Sequence, residues 1–215
     1  MQKDLSNYRR SYEKKELLES EAPENPMELF QKWFFEVEKA GGVEEANAMT
    51  VSTIGLDGYP KSRVVLLKKY TYEGFIFYTN YNSEKGKAIA ACPRVSLSFF
   101  WPNMERQVIV KGTAEKVAPN LSDGYFESRP QGSQLSAVVS AQSEVISGRE
   151  ELEKALKELE TAYKGKEIPR PGHWGGYIVK PVSIEFWQGR PNRLHDRIRY
   201  TLQEGLDWKI ERLAP

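Results

Sequence analysis

The chain has 215 residues, 40% of them hydrophobic and 28% charged, which is enough for one sizeable core and ordinary for a globular protein rather than a fibrous or disordered one. A net charge of +1 supplies no long-range field for nucleic acid or an anionic membrane, so any anion must be recognised locally, and no run of residues is apolar enough for a membrane-spanning helix. The single cysteine, Cys92, excludes an intramolecular disulfide, and with only His173 and His195 beside it no bound metal is expected.

Residues 1–24 are rich in Lys, Arg and Glu and poor in large apolar residues, the composition of a mobile or partner-ordered arm, with Tyr8, Arg9, Arg10 and Tyr12 as exceptions. The opening Met1-Gln2-Lys3-Asp4 holds no apolar leader, and a cytoplasmic protein is expected. Asn25 reads as a helix N-cap, with Pro26 at the first helical position and Glu28 at capping-box spacing. Leu29, Phe30, Trp33, Phe34 and Val37 would form the buried face, and Gly41-Gly42 would stop the helix.

From Ala48 to Val117 the pattern turns β-rich. Met49 to Ile54 and Ser62 to Leu67 flank the turn Leu56-Asp57-Gly58, Phe75 to Thr79 follows Glu73-Gly74, and Val95 to Trp101 and Gln107 to Val117 flank Pro102-Asn103. Short turns between such runs favour an antiparallel barrel or sandwich. Helices are expected at 84–91, capped by Ser83, and at 119–128 and 134–140, divided by Pro130 and Gly132. A longer helix at 149–163 shows Leu152, Ala155, Leu156, Leu159 and Tyr163 on one face. Its Glu150–Lys154, Glu153–Lys157 and Glu160–Lys164 pairs have the favourable i,i+4 order. Strands return at 175–187, 197–202 and 207–212. No repeat or low-complexity linker interrupts the chain, so residues 25–215 read as one α+β domain.

There is no Gly-x-Gly-x-x-Gly or Walker fingerprint, so phosphates would have to be gripped by side chains or helix N-termini. The start of helix 84–91, with Lys85 and the Ser83 cap after Tyr78-Thr79, offers such a cradle. Arg63 and Lys68 bracket an apolar strand, but their odd separation puts them on opposite faces unless a bulge, a strand end or two different ligands intervene; otherwise both simply face water. Tyr125, Arg129 and Ser133 lie at spacing four, and because Pro130 breaks a continuous helix they are better placed at the end of one helix and the start of the next. As a bare pattern they also fit a helix surface. If 193–197 is extended, Arg193, His195 and Arg197 project to one side as a row of donors suited to an anionic, planar ligand; the alternative is a solvated charged turn. Trp187, Gln107, Gln142 and Ser143 are readable either as rim and strand-end residues or as ligand contacts.

The string Glu185-Phe186-Trp187-Gln188, four further residues, then Arg193-Leu194-His195-Asp196-Arg197 resembles the C-terminal signature of the pyridoxamine 5'-phosphate oxidase family. Tyr8-Arg9-Arg10, Arg63 to Lys68, Phe77-Tyr78-Thr79-Asn80, Pro93-Arg94-Val95-Ser96, Glu105-Arg106-Gln107, Ser128-Arg129-Pro130, Trp174-Gly175-Gly176 and the final Lys209 to Pro215 extend the likeness over nearly the whole chain. The resemblance implies a mainly antiparallel FMN-binding split β-barrel with peripheral helices, a homodimer with FMN at the subunit interface, and oxidation of pyridoxamine or pyridoxine 5'-phosphate to pyridoxal 5'-phosphate with O2 as acceptor.

It also implies that FMN is met by Arg63, Val64, Leu67, Lys68, Tyr78, Thr79, Ser83, Lys85, Gln107, Gln142, Ser143, Trp187 and Arg197. Substrate would be met by Arg9, Tyr12, Lys68, Tyr125, Arg129, Ser133, Arg193 and His195, the last two also serving catalysis. One departure stands out: Glu84 occupies a position where many members carry Arg, either pointing away or weakening the cradle. A non-catalytic flavin-binding split barrel is the main rival, and a nucleic-acid module is disfavoured by the charge.

Overall fold

A computed structural model describes residues 3–8 and 10–215. Helix α1 spans Pro26–Ala40, and the Asn25 side chain caps it by accepting from Met27 N at 2.9 Å. Leu29, Phe30, Trp33 and Val37 are buried as expected, whereas Phe34 is only partly covered. Gly41 ends the helix at φ 64°, a conformation that costs glycine little. Strands β1 (Ala48–Ile54), β2 (Pro60–Leu66), β3 (Lys69–Thr71) and β4 (Gly74–Asn80) follow, then α2 (Glu84–Ala91), β5 (Arg94–Trp101) and β6 (Arg106–Lys116). Helices α3 (Pro119–Glu127), α4 (Gln131–Val139) and α5 (Arg149–Ala162) precede β7 (Trp174–Gln188), β8 (Asp196–Leu202) and β9 (Trp208–Arg212).

Among the described residues these strands make one nine-stranded sheet in the order β2-β1-β5-β6-β7-β4-β3, with β8 paired to β7 and β9 to β8. The β3–β4, β4–β7, β7–β8 and β8–β9 ladders are antiparallel. The chain groups into two compact units, and β1, β5, β6 and β7 each contribute residues to both.

The first unit holds the described residues up to Thr50, with Leu97–Lys111 and Pro181–Pro215. Its core is aromatic: Phe30 meets Phe99 and Trp101, and Trp33 meets Phe186 edge-on at 5.2 Å. Arg106 is buried there beside an ion-pair partner, Glu36 at 2.7 Å, with Nε donating to Gln188 Oε1 at 2.9 Å and the Trp33 ring beneath its guanidinium at 4.3 Å. The segment read as a mobile or partner-ordered arm carries specific bonds in this unit. Leu17 is buried and its N–H donates to Asp196 Oδ2 at 3.0 Å, while Tyr200 Oη donates to Pro23 O at 2.9 Å.

The second unit holds Val51–Ser96 and Gly112–Lys180. Phe126, Leu135, Ala137, Ile168 and Trp174 form a cluster on which Leu156, Leu159 and Tyr163 of the α5 side pack. The five residues expected on the α5 face are the partly covered ones, and none is fully buried, so α5 lies on the cluster rather than in it. Arg149 and Glu153 add an i,i+4 pair at 2.6 Å.

Candidate active site

In the second unit, residues from β2, β4, α2, α3, α4, α5 and β7 line a cavity of about 990 Å3. It gathers Arg63, Val64, Lys68, Tyr78, Thr79, Lys85, Tyr125, Arg129, Ser133 and Gln142, ten of the residues expected from sequence. Arg63 and Lys68 share it because β2 ends at Leu66 and Leu67 turns inward to burial, so the strand end resolves their odd spacing.

One part of the cavity is a buried ammonium. Lys85 Nζ bonds Thr79 Oγ1 at 3.1 Å, Ser83 Oγ at 3.4 Å and Gln142 Oε1 at 2.9 Å, all neutral oxygens. Burial, reinforced by the Arg63 charge and opposed by Glu84, lowers its pKa to about 8. Arg63 Nη1 donates to Thr53 Oγ1 at 2.7 Å and Lys61 O at 2.8 Å. The Ser83 hydroxyl, fully buried, accepts from Gly86 N at 3.2 Å and donates to Asn80 O at 2.7 Å, so it caps α2 as expected and does not line the cavity. Glu84 turns aside: its carboxylate meets Lys61 Nζ at 2.6 and 2.8 Å.

Another part is an aromatic slab. Tyr78 stacks on Tyr125 at 4.1 Å and 24°, and on Trp174 at 5.5 Å and 12°. Gly176 lies opposite Tyr78 in the β4–β7 register, and a Cβ there would come within 2.8 Å of the ring, so glycine lets the phenol lie over the sheet. Arg129 follows α3, with its guanidinium 4.6 Å from the Trp174 ring, and Ser133 lies in the first turn of α4, the helix-end arrangement expected around Pro130. Burial lowers the Arg129 pKa against the pull of Tyr125. Arg129 Nη1 is buried without a hydrogen-bond partner, a cost that an anion in the cavity would remove.

In the first unit, Trp187, His195 and Tyr12 form a second cluster. The Trp187 and His195 rings are 4.7 Å apart, and Tyr12 stands 5.8 Å from Trp187, edge-on, and 5.9 Å from His195. His195 Nδ1 accepts from Arg190 N at 3.1 Å. Burial, then the Arg193 charge, lower the His195 pKa, with Asp196 opposing. Arg197 is directly opposite Trp187 in the β7–β8 ladder and is already engaged, with Nε donating to Glu185 Oε1 at 2.8 Å and Nη1 to Ala214 O at 2.7 Å.

The extended row 193–197 is not formed. Pro191–Arg193 is a 3-10 turn in which Asn192 and Arg193 take φ of 56° and 62°, and β8 begins only at Asp196, so side chains 193, 195 and 197 do not alternate as on a strand. Arg193 is exposed. Leu67 and Ser143 do not line the cavity, Ser143 lying exposed at φ 77°, and Gln107 lies on β6 in the first unit. Arg9 lies outside the described residues. Trp174, part of the family-like segment Trp174-Gly175-Gly176 but not among the expected site residues, also lines the cavity. Arg149, Leu152 and Leu156 of α5 also line the cavity, and nothing local marks them.

Two family models match the chain: "Pyridoxamine 5'-phosphate oxidase" over residues 36–163 and "Pyridoxine 5'-phosphate oxidase C-terminal dimerisation region" over 174–215. A pyridoxine/pyridoxamine 5'-phosphate oxidase of Flavobacterium psychrophilum is 70% identical over 213 residues, covering 99% of this chain and all of the relative. One from Neisseria meningitidis is 50% identical over 212 residues, covering 99% and 100%. Among solved structures, PhzG from Burkholderia lata 383, in complex with tetrahydrophenazine-1-carboxylic acid, superposes with a TM-score of 0.86 at 29% identity, covering 93% of this chain and 98% of that one. A pyridoxamine 5'-phosphate oxidase-related, FMN binding protein from Nostoc punctiforme shares the fold, with a TM-score of 0.70 at 14% identity, covering 88% and 97%. The fold is the expected split β-barrel of these proteins.

Proposed function

Because the chain belongs to the pyridoxamine 5'-phosphate oxidase family and is an oxidoreductase of that kind, we propose that it uses FMN to oxidise pyridoxamine or pyridoxine 5'-phosphate to pyridoxal 5'-phosphate, in vitamin B6 biosynthesis and salvage. One observation carries the reading. A single cavity holds two cationic groups without an anionic partner: Lys85 Nζ hydrogen-bonded only to neutral oxygens, and Arg129, whose Nη1 has no hydrogen-bond partner. A cofactor and a substrate that each carry one phosphate suit that pair.

In this assignment Lys85, Arg63, Thr79 and Gln142 hold the FMN phosphate, with Ser83 fixing Lys85 and the start of α2. Val64, Lys68 and Tyr78, which line the same cavity, add to the cofactor surroundings, and Leu67, Gln107, Ser143, Trp187 and Arg197 are assigned to the cofactor on the family resemblance alone. Lys68, Tyr125, Arg129 and Ser133 hold the substrate phosphate, which fixes the far end of the substrate and leaves its reacting carbon to be oriented. Bound FMN would accept hydride from the substrate C4' carbon at flavin N5 and pass two electrons to O2, giving hydrogen peroxide.

Arg193 and His195 orient the pyridine ring with Tyr12 beside it, and Arg9 is assigned to the substrate on the family resemblance alone. With Nδ1 occupied by the Arg190 N–H, neutral His195 presents Nε2–H as a donor, so it holds a substrate oxygen or nitrogen rather than removing a proton. From the alcohol, the hydroxyl proton passes to solvent as C4' loses hydride; from the amine, an N–H proton does so and the resulting imine takes up water and releases ammonia, the hydride and proton balancing the two hydrogens of peroxide. The dimerisation-region match supports a homodimer in which two chains complete each site.

Peroxide release tests the reading. Holoprotein mixed with pyridoxamine 5'-phosphate in air should yield equal amounts of pyridoxal 5'-phosphate and peroxide, and dephosphorylated pyridoxamine should react far more slowly. A yellow protein that releases no peroxide with either phosphorylated substrate would be a flavin binder without this activity.

A further inference from the structure

Glu105 is buried, its carboxylate is not used by the proposed chemistry, and its backbone takes φ 55° at the end of the Pro102–Glu105 turn. A non-glycine residue pays for that conformation, and glycine would not. The side chain accounts for keeping a glutamate there. Glu105 Oε2 accepts from two successive backbone N–H groups of the N-terminal segment, Glu13 N at 2.9 Å and Lys14 N at 3.0 Å, and Arg10 Nη2 lies 3.9 Å from Oε1. Its own carbonyl accepts from Gly189 N at 2.8 Å. One residue therefore ties down both the N-terminal segment and the turn that follows β7.

Those two tethered pieces meet at Tyr12. A Cβ on Gly189 would lie 2.8 Å from Tyr12 Cβ and Cγ, so the tyrosine sits directly on that glycine, and its ring faces Trp187 and His195. We propose that Glu105 is a positioning residue for the substrate-facing cluster: its carboxylate latches residues 13 and 14 so that Tyr12 is seated against Trp187 and His195. The inference rests on the reading of His195 as substrate-facing. A carboxylate accepting two backbone N–H groups is a strong, charge-assisted anchor, and it adds no side chain of its own to the cluster.

The test uses dimeric holoprotein and two variants. Glu105→Gly removes the carboxylate while easing the backbone, and Glu105→Gln keeps one acceptor oxygen. In Glu105→Gly, trypsin should cut after Lys14 or Lys15 roughly tenfold faster than in wild type, as expected when two charge-assisted bonds that close a segment are lost. The apparent KM for pyridoxamine 5'-phosphate should rise roughly tenfold with FMN content unchanged, because an ordered side chain at the substrate has been released. Glu105→Gln should recover part of both effects, which relief of backbone strain alone would not explain.

Wild-type cleavage rates in Glu105→Gly would overturn the latch. Faster cleavage with unchanged KM and flavin reduction would overturn the positioning of Tyr12. A wild-type protein inert toward pyridoxamine 5'-phosphate would overturn the functional reading instead, and the cleavage rates would still decide the latch.

Discussion

The backbone N–H of Arg190 donates to His195 Nδ1 at 3.1 Å. A backbone amide is always a donor, so Nδ1 must offer its lone pair and the imidazole proton belongs on Nε2. Adding a second proton at Nδ1 would set two N–H groups against each other, in the same direction as the burial and the Arg193 charge that lower the His195 pKa.

Imidazole nitrogen shifts should therefore show His195 as the Nε2–H tautomer at neutral pH, titrating below the ordinary histidine value of 6.5. The sign for stability follows: the unfolded histidine binds its proton at higher pH than the folded one. The stabilisation is complete above the unfolded pKa and is lost as pH falls through the lowered folded value. An Nδ1–H tautomer, or titration at or above the ordinary value, would contradict the assignment.

Lys85 follows the same sign in a more alkaline window. Its folded pKa of about 8 lies below the ordinary 10.5, so between those values the unfolded chain holds the extra proton and the folded protein gains stability as pH rises. Over that window the cavity also loses the charge that would hold a phosphate. FMN affinity of the wild type should fall as pH rises above about 8, and Lys85→Met should bind weakly with that dependence largely absent. Identical pH profiles in the two proteins would remove Lys85 from the phosphate site.

The ends of α1 and α2 were legible because Asn25-Pro26 and Ser83 are local capping signals, and the α5 face was legible because Leu152, Leu156 and Leu159 repeat at helical spacing. The fate of residues 193–195 was not. Positive φ at Asn192 and Arg193 is set by the turn that brings His195 back to the Arg190 amide, and no period reveals it. Trp174 escaped for a different reason: its stacking partners, Tyr78 and Tyr125, come from β4 and α3, and only the β4–β7 register brings them together. The contacts of residues 13–17 rest on Glu105 and Asp196 accepting backbone N–H groups, which leave no side-chain pattern in the N-terminal segment itself.

Arg129 and Arg197 should separate substrate from cofactor. Arg129→Leu removes a charge-assisted phosphate donor worth about 1.5–3 kcal/mol, raising the apparent substrate constant at least roughly tenfold with little change in FMN affinity. Arg197→Leu leaves Glu185 without its 2.8 Å partner and should chiefly weaken FMN retention. Flavin titration showing equal loss of FMN in both variants would contradict this division.

Glu84 should matter little. Its pair with Lys61 joins two roughly half-exposed side chains, the kind worth about 0–1 kcal/mol, and the carboxylate is turned toward that lysine. Glu84→Ala should shift the FMN dissociation constant by no more than about threefold, the scale of one screened charge near the surface. Marked tightening in Glu84→Arg, larger at low salt than at high salt, would show instead that residue 84 faces the phosphate.

The most direct test of the functional reading is anaerobic single-turnover reduction of the holoprotein by saturating pyridoxamine 5'-phosphate, which separates hydride transfer from reoxidation and product release. The wild type should lose its flavin colour in one turnover and regain it with peroxide when O2 is admitted. Arg193→Ala and His195→Ala should stay yellow and dimeric, yet at least one should be reduced on the order of a hundredfold more slowly, the loss that follows when a reacting group is misplaced by about 1 Å. Wild-type flavin that keeps its oxidised spectrum in the presence of this substrate would contradict the assigned reaction.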